Sequence, residues 1–411
     1  MFDDVDAAIR WVFSSFEARH RAGRGKLDRD IRQPEMIAGV WDELRLRPAA
    51  AQTCLVSGSK GKGTVARLIA WNLSREGYRV GLVLSPEEIC HLDRIRIDNR
   101  PISGPEFLEL IRSLQPFLDR LWQNEESDYY LPPTSVFLTA AFAWFKREKV
   151  DLVVVEGGRG VKWDDIGQIE ARVGVLTNVL PEHLGRLGPT LADIADDKFS
   201  LVAKCRKLLV AEDAISRLQG QEIQVPTEIA AVPNRNLASE SFPAWYETLA
   251  SLAKAAGMRM AAVREWHDFA TPAFAWLSTE PGIAVDGAIH PSCLDRRFLR
   301  SSGLSSGTAL LGLSSDKDCA GMIAGLAACG FEKIAAVRLY SPVGHLDSNW
   351  LDHFPEIEII GTLNVVAPDA GALRAAVERL AADGTVFAAG VQVFVRSLRL
   401  AFQRTLAGPI L

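Results

Sequence analysis

The segment Cys54–Ile69, CLVSGSKGKGTVARLI, decides the first half of the fold. It begins with a short apolar stretch, passes through a turn that contains three glycines and two lysines, and continues with apolar residues at helical spacing. A strand that turns through glycines into a helix presents free backbone N–H groups and the positive end of the helix dipole to an anion. The segment therefore predicts a phosphate-binding loop; the alternative is a glycine-rich turn with solvated lysines.

The residue types in this turn suit a nucleotide. Lys62 can reach phosphate oxygens, and Thr64 can offer its hydroxyl to magnesium. The general P-loop pattern requires glycine where Val56 stands and serine or threonine where Gly63 stands, so this loop is a variant. The residues that we expect to bind the nucleotide here are Gly58, Ser59, Lys60, Gly61, Lys62, Gly63 and Thr64.

Composition excludes several classes of protein. The 411 residues carry a net charge of −5, so no global field attracts nucleic acid or an anionic membrane. The six cysteines are scattered without a C-x-x-C pair, which is typical of free thiols in a reducing compartment. The acidic start does not have the pattern of a signal peptide, and no apolar run reaches bilayer length. We therefore expect a cytoplasmic protein, a monomer or small homo-oligomer, that binds small molecules.

Apolar runs of strand length alternate with helix-period segments along most of the chain, which predicts doubly wound parallel α/β sheets. Between residues 225 and 281 there are five prolines and little strand pattern, apart from a helical patch at Trp245–Ala256. We place a boundary at the end of this stretch, giving domains 1–275 and 276–411. The expected strands are Thr53–Val56, Arg79–Leu84, Asp151–Val155, Val173–Leu176, Lys207–Val210, Ile283–Val285, Ala309–Leu313, Ile334–Val337, Ile357–Ile360 and Thr385–Ala389.

Three ionisable residues follow the strands of the first half. Glu156 ends a buried strand, where a carboxylate beside a phosphate loop is suited to holding magnesium. His183 comes just after the next strand, and Lys198 falls on the apolar stripe of a helix that opens with a capping pattern at Thr190. A lysine on an apolar stripe is costly unless it has a function or snorkels. The alternatives are a solvated strand end for Glu156 and a structural hydrogen bond for His183.

The loop Gly58–Thr64 resembles the Gly-Thr-Asn-Gly-Lys-Gly-Ser loop of folylpolyglutamate synthases and, more widely, the loops of the Mur ligase superfamily. The resemblance continues in Leu84-Ser-Pro-Glu and in Asp93-Arg-Ile-Arg-Ile-Asp-Asn-Arg-Pro-Ile-Ser103. It implies a P-loop-type doubly wound central domain followed by a smaller Rossmann-like C-terminal α/β domain. It also implies an ATP-dependent amide ligase that joins an amino acid to a carboxylate.

The resemblance further implies the roles of the ionisable residues. In the family, the residues matching Glu156 and His183 bind magnesium, and the lysine matching Lys198 is carbamylated, which turns a cation into an anion that can help hold a second magnesium. The expected metal ligands are thus Thr64, Ser85, Glu156, His183 and Lys198, and the expected catalytic residues are Lys62, His183 and Lys198.

The second half is similar to the family's C-terminal domain but departs from its motifs. Asp286 in Ile283-Ala-Val-Asp-Gly-Ala-Ile-His-Pro291 matches the family's nucleotide-contacting aspartate, and Asn236 matches an asparagine of the nucleotide site. The family's histidine is Ile289 here, and the interdomain Pro-Gly-Arg is absent. We therefore expect a carboxylate other than folate as the substrate.

Two other functions remain open from the sequence. One is a Mur-like protein that binds nucleotide without turnover and serves as a partner subunit, which the altered second-half motifs suggest. The other is a simple P-loop kinase or GTPase, which explains neither Lys198 nor the second domain. The basic residues that could anchor an anionic substrate are Arg94, Arg96, Arg159, Lys162 and the run Arg19–Arg32.

Overall fold

The computed structural model describes residues 2–19, 25–87, 90–122, 130–233, 244–268, 274–340, 347–365 and 368–402. These residues divide into two compact units. The first unit contains the described part of Met1–Arg235 together with Thr248–Asp268, and the second contains the described part of Asn236–Glu247 and of Phe269–Pro409. Each unit is built on one mixed, mainly parallel β-sheet, as the sequence predicted.

The first unit contains an eight-stranded sheet in the order β4-β3-β2-β5-β1-β6-β7-β8. Strands β2, β5, β1, β6, β7 and β8 are parallel, and β3 and β4 extend the edge in antiparallel pairing. Its elements are α1 Val5–Arg19, α2 Asp28–Ile31, α3 Pro34–Glu43, β1 Thr53–Ser57, α4 Lys62–Arg75, β2 Val80–Val83, β3 Ile95–Ile97, β4 Arg100–Pro101, α5 Gly104–Trp122, α6 Pro133–Glu148, β5 Leu152–Glu156, β6 Val173–Leu176, α7 Leu184–Leu187, α8 Leu191–Phe199, β7 Leu208–Ala211, α9 Glu212–Gln219, β8 Ile229–Val232 and α10 Ala244–Met260, the last shared between the units at Thr248.

The second unit contains a six-stranded sheet in the order β13-β12-β11-β14-β10-β9, in which only β9 is antiparallel to its neighbour. Its elements are β9 Ala275–Thr279, β10 Gly282–Asp286, α11 Arg296–Ser301, β11 Thr308–Gly312, α12 Cys319–Cys329, β12 Lys333–Tyr340, β13 Glu358–Asn364, α13 Ala370–Ala381, β14 Val386–Gly390 and α14 Gln392–Ala401. Its core is a single cluster of apolar side chains from both faces of the sheet and the helices that cover them.

The structure confirms the ten expected strands, each shifted by a few residues at most in its boundaries. It also confirms the helical patch at Trp245–Ala256, which lies within α10. The expectation of little strand structure between residues 225 and 281 is wrong, because β8 and β9 lie there. Both are edge strands with several partly exposed residues, so they do not have the continuous apolar run of a central strand.

Strand β1 is central in its sheet, and all five of its residues are buried. It is parallel to β5 on one side and to β6 on the other, with Val56 opposite Glu156 and Ser57 opposite Leu176. The carboxyl ends of these three strands therefore lie side by side. In open α/β sheets this is the edge at which ligands bind.

Candidate active site

The loop between β1 and α4 has the backbone of a phosphate cradle. Gly61 is the N-cap of α4 and has φ +80°, a left-handed conformation that glycine adopts without steric cost. Gly58 has φ +133°, and a Cβ there would lie 2.0 Å from Thr177 Oγ1. Side chains are thus excluded at both positions, which leaves the N–H groups at the start of α4 accessible to an anion.

The residues that follow strand β6 fix this loop through hydrogen bonds. Asn178 Oδ1 accepts from the N–H of Lys60 at 2.9 Å, and Asn178 O accepts from the N–H of Ser59 at 3.0 Å. Ser59 Oγ in turn accepts from the N–H of Leu180 at 2.9 Å. Asn178 was not among the predicted site residues, although its position two residues after the buried strand β6 is a signal that the sequence offers.

Lys62 folds back over the loop that carries it. Its Nζ donates to the carbonyl oxygen of Gly58 at 2.9 Å and lies 3.4 Å from that of Ser59. Thr64, two residues further along α4, is buried. The ammonium group is therefore held above the loop interior, where a phosphate bound by the N–H groups would meet it.

Glu156 meets the loop from β5. Its Oε2 accepts from the N–H of Ser85 at 2.9 Å, and a Cβ added to Gly63 would lie 3.3 Å from the same oxygen. Glu156 is 9% exposed. The structure thus brings the Glu156 carboxylate close to the backbone of Ser85 and to Gly63, the residue before Thr64. A carboxylate is an oxygen ligand that suits a hard divalent cation.

Beside Glu156 there is a small cavity of about 20 Å³. Its walls are formed by the ends of β2 and β5, by helix α6 and by the segment after Gly158. The polar residues that line it are Ser85, Arg94, Thr134, Glu156, Asp164 and Asp165. Arg94 is neutralised there by Glu87, whose Oε2 accepts from Arg94 Nε at 2.7 Å.

A buried carboxylate, Glu182, links the loop to the residues after β6. Lys60 Nζ lies 2.8 Å from Glu182 Oε2, and His183 Nε2 lies 3.9 Å from Glu182 Oε1. Burial opposes ionisation of Glu182, but the charges of Lys60, His183, Lys62 and Lys198 outweigh it and hold the pKa of this carboxyl well below its ordinary value. Sequence reasoning did not assign Glu182, even though it directly precedes His183.

Lys198 is completely buried on α8, the helix capped by Thr190 and Asp193. Burial lowers the pKa of Lys198 to about 8, and the positive charges of Lys62 and Lys60 act in the same direction. Its Nζ donates to the carbonyl oxygen of Arg159 at 2.8 Å. The snorkelling alternative is therefore wrong for Lys198, because its amine does not reach solvent.

His183, Lys198 and the loop belong to the first unit, and two other predicted site residues lie outside its described part. Asp286 lies in the second unit, buried at the end of β10. Asn236 lies outside the described residues. Among the residues that the structure describes, no three His, Cys, Asp or Glu side chains group as metal ligands.

The basic residues suggested as substrate anchors already have carboxylate partners. Arg96 pairs with Asp93, Lys162 with Asp196, Arg32 with Asp164 and Arg159 with Asp28. Since their charges are neutralised within the protein, none of these four presents an uncompensated cation to an anionic substrate. The described part of the chain also contains no helix both long and apolar enough to cross a bilayer.

Comparison with known proteins places this geometry in context. Residues 121–234 match the family model described as the Mur ligase middle domain. The chain is 32% identical over 166 residues to a dihydrofolate synthase/folylpolyglutamate synthase of Bacillus subtilis, a match covering 40% of this chain and 38% of the relative. It is 33% identical over 173 residues to the enzyme of the same name from Mycobacterium tuberculosis, covering 41% of this chain and 36% of the relative. The chain therefore spans well under half the length of these curated relatives.

Solved structures show the likeness across the whole chain. A Mycobacterium tuberculosis folylpolyglutamate synthase complexed with ADP superposes with a TM-score of 0.73 at 21% identity, covering 98% of this chain and 100% of the other. E. coli FolC in complex with DHPP and ADP gives a TM-score of 0.74 at 20% identity, covering 98% of both chains. The resemblance inferred from the motifs is thus confirmed: this chain has the folylpolyglutamate synthase fold, and its residues 121–234 match the Mur ligase middle domain.

Proposed function

We propose that this protein is an ATP- and magnesium-dependent amide ligase that activates a substrate carboxylate as an acyl phosphate and joins it to an amino acid or another amine. The observation that carries this proposal is the set of groups at the ends of β1, β5 and β6: a glycine loop with Lys62, a carboxylate at Glu156 and a fully buried amine at Lys198. The motif resemblance and the sequence similarity to folylpolyglutamate synthases support the same reaction class.

In this proposal the loop binds the triphosphate. The N–H groups at the start of α4 face the phosphate oxygens, and Lys62 stabilises the negative charge that develops on the transferred phosphoryl group. The substrate carboxylate forms a bond to the γ-phosphorus while the bond to the β,γ-bridging oxygen breaks and ADP leaves. The amine nitrogen then attacks the acyl carbon, releases a proton and expels inorganic phosphate.

The residues fit a divalent cation by their donor chemistry. Glu156 offers carboxylate oxygens beside the backbone of Ser85 and Gly63, and His183 offers a ring nitrogen beside the buried Glu182. The hydroxyl groups of Ser85 and Thr64 are proposed as further ligands. When bound, magnesium would neutralise charge on the phosphate oxygens. Asp286 and Asn236 are proposed as nucleotide contacts, with residues 1–275 forming the ATP-binding central domain and residues 276–411 the C-terminal domain.

Lys198 is proposed to act as a carbamate. A neutral amine attacks carbon dioxide, a C–N bond forms, a proton is released and the product is an anion that can help hold a metal. The pKa of Lys198, lowered to about 8, supports this step because a sizeable fraction of the amine is neutral near physiological pH.

The substrate class is a carboxylic acid with an amine partner, and the altered second-half motifs favour an acid other than folate. The cellular site is proposed to be the cytoplasm, which agrees with six free cysteines. The decisive experiment is release of inorganic phosphate from ATP and magnesium with a panel of carboxylic acids and amino acids. Release that requires both an acid and an amine supports the ligase, whereas tight ATP binding without release for any pair indicates a nucleotide-binding partner subunit.

A further inference from the structure

Helix α8 and Asp28 of α2 both hold the segment that follows β5. In this 157–164 loop, Arg159 supplies the carbonyl oxygen that accepts from Lys198 Nζ at 2.8 Å. This is the hydrogen bond that Lys198 makes within the described residues. The lysine side chain is a flexible stem of four methylene groups, so its amine can take several positions. The direction of the Arg159 carbonyl therefore determines which position the amine takes.

The side chain of Arg159 is fixed by a residue far away in the chain. Asp28, at the start of α2, accepts from Arg159 Nε at 2.6 Å and also from Arg159 Nη2. This is a two-bond fork between a guanidinium and a carboxylate, and Asp28 is 1% exposed. Arg159 therefore does not serve as a free anchor for an anionic substrate.

The backbone next to Arg159 is fixed by the neighbour of Lys198. Asp197 accepts from the N–H of Val161 at 2.7 Å and from that of Lys162 at 3.2 Å. A Cβ on Gly160 would lie 2.8 Å from Asp197 Oδ1, so glycine is needed for this close approach. Helix α8 thus holds the loop by its N–H groups through Asp197 and by its carbonyl through Lys198.

We propose that Asp28 is a positioning residue for Lys198, acting through Arg159. The fork holds the Arg159 side chain, Asp197 holds the following peptide groups, and together they direct the Arg159 carbonyl at the buried amine. The importance of this position for catalysis rests on the proposed role of Lys198. The contact chain from Asp28 through Arg159 to Lys198 is geometric and stands without that role.

The test compares Asp28→Asn with a matched control, Asp196→Asn. Asp196 pairs with Lys162, so it also joins α8 to the 157–164 loop, but both side chains are exposed and neither contacts Lys198. Asp28→Asn is expected to fold, because asparagine keeps the size of the side chain and Arg32, the second guanidinium beside Asp28, retains Asp164 and Asp165 as partners.

Two readouts are needed. The first is steady-state ligation, where loss of an outer partner of a functional group lowers kcat about 10- to 100-fold, with the KM for ATP changed less than about twofold because the phosphate loop is intact. The second is reductive methylation with ¹³C-formaldehyde in bicarbonate-free buffer, in which mass spectrometry compares labelling of Lys198 with that of the exposed lysines. We expect Lys198 to be labelled severalfold faster in Asp28→Asn and at the wild-type rate in Asp196→Asn.

Unchanged labelling of Lys198 in a folded Asp28→Asn variant would overturn the proposal, whether or not kcat falls. If Asp28→Asn does not fold, Arg159→Lys takes its place, because lysine keeps the charge next to Asp28 but cannot form the fork. A wild-type protein without ligase activity would count against the proposed function and leave the labelling result decisive for the positioning role.

Discussion

Lys198 has a fully buried amine with a lowered pKa. The preceding residue of its helix, Asp197, also binds the 157–164 loop. Burying an ammonium ion removes it from water, a cost that paired charges and hydrogen bonds offset only in part. The nearest charges are mixed, since Lys62 and Lys60 repel it while Glu182 and Asp197 attract it. The folded protein therefore holds this lysine where its ammonium form is disfavoured, which is the condition that the proposed carbamate requires.

The first prediction concerns Lys198→Met. Ligation should fall to background, because neither a carbamate nor an amine can form on methionine. The melting temperature should stay within a few degrees of wild type, since the relieved desolvation cost of the ammonium opposes the loss of one hydrogen bond, each about 1–3 kcal/mol. Phosphate release and thermal unfolding measure the two effects, and Lys207→Met, on an exposed residue nearby, is the control. A Lys198→Met variant that ligates at the wild-type rate would refute the assigned role.

The second prediction concerns Asp286, which is buried in the second unit with its Oδ1 lacking a hydrogen-bond partner among the described residues. Burial raises its pKa from 3.8 to about 7, against the backbone N–H groups of Ala288 and Gly287 and the charge of Arg399. Between these two pH values the unfolded chain is ionised and the folded one holds a proton. Stability therefore falls as pH rises from about 4 to about 7, and the loss is complete above that range.

Asp286→Asn removes this dependence because asparagine does not titrate. Relative to the variant, the wild type should lose up to roughly 4 kcal/mol of unfolding free energy between pH 4 and pH 7.5 without nucleotide. Urea unfolding of both proteins at several pH values gives the difference directly. Parallel stability curves would mean that Asp286 is already ionised in the folded state.

At the scale of elements, helix α4 carries two glycines in the left-handed region. Gly61 begins the helix with φ +80°, and Gly77 follows its end with φ +91°. A Cβ on Gly61 would lie 2.4 Å from Leu249 Cδ1, whereas nothing lies within 4 Å of one on Gly77. The two positions therefore share backbone strain but differ in packing.

The third prediction follows from this difference. Gly77→Ala should cost about 1–2 kcal/mol of unfolding free energy from backbone strain alone. Gly61→Ala should cost a further 1–3 kcal/mol or so, because Leu249 is itself buried and cannot move aside freely. Chemical denaturation of both variants measures the costs, and ATP binding should weaken only in Gly61→Ala. Equal costs would show that Leu249 adapts without strain.

The elements also show what the sequence could predict. Continuous apolar runs identified ten strands, nine of them inside their sheets, because such strands are buried on both faces, and the tenth is the edge strand β13. The antiparallel strands β3 and β4 at the edge were missed, since they are short and β3 carries the buried Arg96. Lys198 stood out because its charge breaks an apolar stripe, whereas its link to Asp28 through Arg159 joins residues 131 positions apart and leaves no local pattern.

At the scale of the whole molecule, the chain has two cores under one weak net negative charge of −5. No broad positive field collects anionic substrates, so capture depends on local groups. In the first unit, Lys60, Lys62, His183 and Lys198 act on the buried carboxylate of Glu182, while Asp197 faces Lys198 and Glu156 lies beside Gly63. Cations and carboxylates therefore alternate at this site, and the proposed triphosphate would be bound by the N–H groups at the start of α4 and by Lys62.

The last prediction tests the proposed metal site through the charge of Glu156. A ligand that binds only the folded state raises unfolding free energy by about 2.7 kcal/mol at a hundred times its Kd. ADP with magnesium should therefore raise the melting temperature of the wild type much more than ADP with EDTA does.

Glu156→Gln keeps an acceptor for the N–H of Ser85 but removes the charge, so its fold should persist while the gain from magnesium disappears. The nucleotide should raise the midpoint of the same unfolding transition whose midpoint Gly61→Ala lowers, since the loop lies in the first unit. Equal protection of the wild type by ADP with and without magnesium would exclude Glu156 from a metal site, because the charge at the end of β5 would then have no cation to bind.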